Sequence, residues 1–284
     1  MKNLFILALS LLSIVTFGQN DNSLLYKISG NGIEKPSYVF GTIHISCNAK
    51  LDDEILNALD NTSQMYLELD MDDPEMQTNV MKSMIMKDGV TINSLVSEED
   101  YYMLDKYLMS KMRVSADLFN TYKPFLVSSM FLTTLLDCTP ESFENELVKV
   151  SIAQKEPVYG LETVAEQMAI FDKIPYKVQA RELINSVKND FQEDKVELDE
   201  LLHVYADKNL DEMERLSKKS KSAIMTDYED LLLKNRNERW IPKIEKISKE
   251  KPTFYGVGAA HLIGEFGIIN LLRKKGYKVE AIIN

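Results

Sequence analysis

Read as a pattern of apolar and polar positions, the chain opens on a charge-free apolar run, Leu4–Phe17. It then falls into short apolar segments bounded by turn residues. Ser23–Ile28 and Lys35–Ile43 flank Ser29-Gly30-Asn31-Gly32, a turn sequence, and read as a hairpin. Further strands are expected over Gln64–Met71, Pro157–Leu161, Thr253–Val257 and Lys278–Ile283, all short and flanked by breakers. Between them the period becomes helical. Leu51, Ile55, Leu56 and Leu59 share one helix face, and Ser97 followed by three acids caps a helix running through Met112. Helix dominates Ser115–Leu136 and Tyr176–Ile247, and the Met76–Met86 stretch reads as an adaptable apolar helix face.

Strands near both ends with helices between predict a mixed α/β (α+β) fold. In it a central sheet is assembled from N- and C-terminal strands, and one domain over 19–284 carries large helical insertions at about 73–156 and 173–250.

The opening segment changes the compartment expected. Lys2 followed by an apolar run of about 14 residues and the small residues Thr16 and Gly18 is signal-peptide anatomy, too short for the roughly 20 residues of a spanning helix. Residues 1–18 are therefore expected to be removed, and the product exported to the periplasm or beyond, without stable membrane insertion. The full chain has a formal charge of −11, from 33 basic and 44 acidic residues, and a surface of that sign repels nucleic acid and anionic membranes. Cys47 and Cys138 are the only cysteines. An exported pair is able to form a disulfide, but nothing local brings these two together, and neither has zinc-finger spacing to a histidine.

Three histidines occur, and two share a context: Gly41-Thr42-Ile43-His44 and Gly258-Ala259-Ala260-His261, each directly after an apolar strand. Catalytic groups of α/β sheets collect outside the carboxyl ends of strands, which makes His44 and His261 the leading candidates. His203, inside a helical stretch, reads as surface. A hydrolytic metal needs about three protein ligands and an open position. Glu68, closing the strand Met65–Glu68, supplies the carboxylate, and Asp70, on the same strand face, is the fallback. Glu265, four residues after His261, would share a helix face with it and reach the same metal, although a first-turn acid is its default reading. Glu162 reads as a helix-opening acid. Arg236 and Asn237 interrupt a helical region with groups suited to carboxylate binding or to polarising a carbonyl oxygen, although a charged surface helix is their default reading.

Gly41–His44, Glu68, Leu161-Glu162-Thr163 with Glu166-Gln167, Arg236-Asn237 with Trp240, and Val257–Leu262 with Gly264 and Gly267 together resemble the TraB/GumN family, Tiki-like proteins related more distantly to the erythromycin-esterase and ChaN-like groups. Tyr122-Lys123-Pro124-Phe125 resembles its Lys-Pro-aromatic segment, with Phe125 for the usual Trp, and Ala260 stands where the second motif often has Gly. The resemblance implies a metal-dependent peptidase acting on a peptide or protein. Its divalent ion would be Mn or Co rather than Zn, held by His44, Glu68 and His261, while Arg236-Asn237 and Glu162 match other family positions. In such a site Arg236 is expected to steady the developing oxyanion or the substrate carboxylate.

Other readings keep the same cleft: a metal-free esterase-like hydrolase with a histidine base, or a haem-binding module. A dinucleotide site at Gly256-Val257-Gly258 fails for want of the third glycine, where His261 stands.

Overall fold

The computed structural model describes residues 23–283. The expected signal segment at 1–18 lies outside them.

A six-stranded sheet forms the frame: β1 (Leu25–Gly30), β2 (Ile33–Thr42), β3 (Met65–Leu67), β4 (Val158–Gly160), β5 (Phe254–Gly258) and β6 (Lys278–Ala281), in the order β4-β3-β5-β2-β1-β6. β1 and β2 are the expected hairpin, with Asn31 and Gly32 both at positive φ in its turn. β6 pairs antiparallel with β1, whereas β4, β3, β5 and β2 run parallel. The sheet is therefore drawn from both ends of the chain, as the pattern predicts, and the fold is mixed α/β.

β5 and the end of β2 are buried runs, as strands covered on both faces must be, whereas the edge strand β4 leaves Tyr159 exposed. Phe40, Met65, Leu67, Val158, Phe254, Tyr255 and Val257 lie in one core with Trp240 and Ile244 of the helix Asn235–Glu250. The intervening helices gather round a second apolar cluster that includes Leu104, Leu108, Val127, Phe131, Leu183 and Phe191. Ser97 caps Glu98–Met112 through the Asp100 amide. The methionine-rich helix, Met76–Ser83, has no buried residue; Met86, beyond its end, is the methionine of that stretch that enters the second core.

Three expectations are corrected, and the open pairing of the cysteines is settled. β3 stops at Leu67, so Asp70 is not on a strand face shared with Glu68. Beyond Leu67 the Glu68 carbonyl still accepts from the Glu162 amide at 3.0 Å while its carboxylate accepts from the Gly258 amide at 2.8 Å, and the ladder goes no further. Glu265 shares no helix with His261: the turn Ala259–His261 ends, Gly264 takes φ +78°, and the next helix begins at Ile268, leaving Glu265 exposed beside Lys274. Arg236 and Asn237 interrupt nothing, since a π-helical turn, Asp230–Lys234, runs directly into Asn235–Glu250. Cys47 and Cys138 are bonded, brought together by an isolated pairing of Ser46 with Glu141 that local sequence cannot show. Among the described residues no helix is long and apolar enough to cross a membrane.

Candidate functional site

The carboxyl ends of the four parallel strands lie side by side, and each delivers one polar residue just beyond its last ladder position. These are His44 after β2, Glu68 after β3, Glu162 after β4 and His261 after β5. Registers Thr42↔Gly258, Leu67↔Gly256 and Leu67↔Gly160 align those ends. The glycines permit it. A side chain at Gly41 would lie 3.0 Å from Ala259 Cα, so only glycine allows β2 to pass the segment leading to His261. A methyl at Gly258 would stand 3.2 Å from Glu68 Oε1, 3.7 Å from His261 Cδ2 and 3.8 Å from His44 Nε2. One small space above Gly258 is thus shared by both histidines and the glutamate.

Each imidazole is oriented through Nδ1. Asn237 donates its Nδ2 to the carbonyls of His261 and Phe266, so its Oδ1 is the acceptor facing His261 Nδ1 at 2.6 Å, and the ring carries its proton there. The Nε2 lone pair then accepts from Arg236 Nη1 at 2.9 Å. Burial, with Arg236 and His44 adding to it against Glu68, lowers the His261 pKa to about 3, and the ring is neutral. Trp240 packs on it, with ring centres 4.6 Å apart.

His44 Nδ1 meets Glu144 Oε1 at 2.7 Å, and that hydrogen bond raises its pKa to about 9. That contact outweighs desolvation, which acts to lower the pKa, and sets the direction.

Arg236 uses all five N–H groups. Nε donates to Glu162 Oε1 at 3.0 Å, Nη1 to Leu232 O at 3.1 Å and to His261, and Nη2 to Glu162 at 2.6 Å and to Glu68 Oε2. Its plane also lies over Trp240, 4.7 Å from the ring. Burial opposes ionisation of Glu68, but the His261, Arg236 and His44 sites and the Gly258 amide hold its pKa at about 2. Since His261 is neutral, Arg236 is the permanent charge in that set. Gln167 adds a donor to Glu68 Oε2 at 3.3 Å.

Of the residues singled out by sequence, His44, Glu68, His261, Arg236, Asn237 and Glu162 come together. Arg236, expected to face an oxyanion, instead has no donor left over in this arrangement. Glu162 is no simple helix opener: it lies ahead of the cap Thr163, buried against Arg236. Asp70 stands apart with Asp72 and Asp73, where burial and those neighbours raise its pKa to about 6. His203 is exposed, its Nδ1 on the Asp199 carbonyl. Sequence reasoning missed Glu144. It is one of three closely spaced acids with Glu141 and Glu146, and the only local signal, the cap Ser142, points to a helix start rather than to that side chain. A cleft of about 980 Å³, lined by residues including Asn48, Lys50, Ser142, Asn145 and Lys149, opens the His44 side of the site to solvent.

A mixed sheet whose parallel strand ends present a histidine–carboxylate–arginine cluster defines an α/β protein with a buried polar site at its strand ends. The chain belongs to the TraB/PrgY/gumN family, whose model matches residues 24–281. It is 21 % identical over 318 aligned positions to metalloprotease TIKI2 of Danio rerio, a match that takes in 91 % of this chain and 61 % of that protein. No solved structure matches.

Proposed function

We propose that the chain is an exported hydrolase that cleaves an amide bond of a peptide or protein, with a divalent metal held by His44, Glu68 and His261. The observation that carries this reading is the convergence of His44 Nε2, Glu68 Oε1 and the His261 ring on the space above Gly258. The donor set fits such an ion. Two imidazoles and a carboxylate suit Mn, Co or Zn, and each ring has Nδ1 tied by an oxygen acceptor, which leaves Nε2 as the ligating nitrogen. One contact must give way: Arg236 Nη1 occupies the His261 Nε2 lone pair, and among the described residues no three such side chains stand close enough to chelate as arranged. Family likeness favours Mn or Co over Zn.

Such an ion would lower the pKa of a water and polarise the scissile carbonyl. The chain's own groups do the rest. Glu68 stays ionised under Arg236, Asn237 fixes the His261 tautomer, and the cleft beside His44 admits an extended substrate. The Arg236 N–H now on His261 becomes a donor for a carbonyl oxygen once that nitrogen turns elsewhere. Export, expected from Lys2 and Leu4–Phe17, belongs to the same reading and is supported by the Cys47–Cys138 disulfide.

The His44–Glu144 contact favours a second reading, metal-free hydrolysis with this pair transferring the proton. The raised His44 pKa makes that ring a base only toward alkaline pH. Hydrolysis of a peptide library by purified residues 19–284 separates the two. Activity that a chelator abolishes and Mn or Co restores supports the metal reading. Chelator-resistant activity that rises with pH supports the second, and no cleavage of any peptide under either condition refutes hydrolysis.

A further inference from the structure

We propose that Glu144 is the positioning residue of His44, the group that decides which way its Nε2 points. The inference rests on the reading of His44 as a working residue but depends on no particular partner for Nε2. Three donors converge on this one carboxylate. Thr42 Oγ1 and His44 Nδ1 both donate to Oε1 at 2.7 Å, and Ser142 Oγ donates to Oε2 at 2.7 Å. Glu144 is 8 % exposed, so its charge is costly there unless those donors are made. Burial would raise its pKa, but the His44, Ser142 and Thr42 contacts hold it below the usual range.

The arrangement goes beyond packing because His44 has little else to hold it. Its side chain is 70 % exposed, and in the structure its one hydrogen bond is the one to Glu144. A histidine that free would sample several χ1 wells. The carboxylate restricts it to the one with Nδ1–H on Glu144 and Nε2 over Gly258. Glu144 itself is fixed from three sides. Thr42, the last residue of β2, holds it from the sheet, and Ser142 caps its helix. The pairing Ser46↔Glu141 and the Cys47–Cys138 disulfide lock the segment after His44 to the segment before Glu144. Orientation of a histidine through Nδ1 by a carboxylate is the way working imidazoles are held in general.

The test compares residues 19–284 with Glu144→Gln, Glu144→Ala and Glu144→Asp, reading three quantities. These are the urea midpoint, the ring-nitrogen NMR spectrum and the affinity for Mn(II) alone. With three histidines in the chain the ring signals are assignable by single substitution. The expected result is a hydrogen-bonded Nδ1 proton that His44→Ala removes and Glu144→Ala also removes. Mn(II) affinity should fall about 10- to 100-fold in Glu144→Ala and Glu144→Gln, with partial recovery in Glu144→Asp. Should Glu144→Ala keep that proton and the parent affinity while shifting only the midpoint, Glu144 is structural and the proposal is wrong. If the parent binds no Mn(II), the metal reading fails, and the Nδ1 proton alone then decides the positioning claim.

Discussion

Replacing Arg236 by Met tests the charge balance of the site. Methionine preserves much of the side-chain length over Trp240 but removes the cation shared by Glu68 and Glu162, both of which stay buried. In the parent, Glu68 ionises at about 2 instead of 4.5. The contacts that hold it there contribute stability to the fold. That stability is present above pH 4.5 and lost as the pH falls through about 2. Without Arg236 the sign reverses for Glu68: burial drives its carboxyl above its unfolded value, so its contribution to stability is greater at low pH and declines as the pH rises.

Leaving buried charges without their partner costs about 3–5 kcal/mol. With a urea m-value of about 3 kcal/mol/M, the midpoint of Arg236→Met at pH 7 should lie about 1–1.7 M below the parent. The gap should narrow at pH 4.5. Adding Glu162→Gln removes the one of the two carboxylates that keeps a second cation, Arg239 Nη2 at 3.5 Å, and should restore less than half the loss. The assay is urea denaturation followed by circular dichroism at both pH values. An Arg236→Met midpoint equal to the parent's, with the same pH slope, would refute the buried cluster.

Three further outcomes are expected. Tyr205→Phe deletes the buried hydroxyl that donates to the Gly41 carbonyl at 2.8 Å, and should lower stability by about 1–1.5 kcal/mol in urea denaturation without changing Mn(II) binding. Cys47→Ser with Cys138→Ser opens a loop closed across 91 residues, a loss of about 4–5 kcal/mol by chain entropy. A reductant should lower the parent's midpoint and leave the double variant's unchanged. His261 ionises at about 3 in the fold and near 6.5 when unfolded, so the unfolded chain takes up that proton first and stability should decline as the pH drops below about 6.5. His261→Gln, which has no such proton to gain, should show a shallower acid slope in thermal denaturation.

The sheet was legible because its strands are short segments flanked by breakers, and the repeated Gly-x-x-His marks both site histidines at strand ends. What sequence misread has physical causes. The alternation Leu67-Glu68-Leu69-Asp70-Met71 continues the strand pattern, yet the chain turns off where Glu68 meets Gly258 and Arg236, contacts made across long sequence separations. Helical spacing from His261 to Glu265 ignores Gly264, whose φ of +78° breaks the run. Arg236 and Asn237 read by default as part of a charged surface helix, and Glu162 as a helix-opening acid, because that is where such side chains usually stand. They are buried here only because each satisfies another, a property of the cluster and of no single segment. Glu144 was invisible for the same reason, since nothing but the fold distinguishes it from Glu141 and Glu146.

The central claim is that His44, Glu68 and His261 hold a divalent ion. Elemental analysis of purified residues 19–284 after incubation with Mn, Co and Zn, beside a His44→Ala/His261→Ala variant shown to be folded, tests it most directly. The account predicts about one ion per chain in the parent and none in the variant. Equal metal content in the two, or none in the parent, would contradict it.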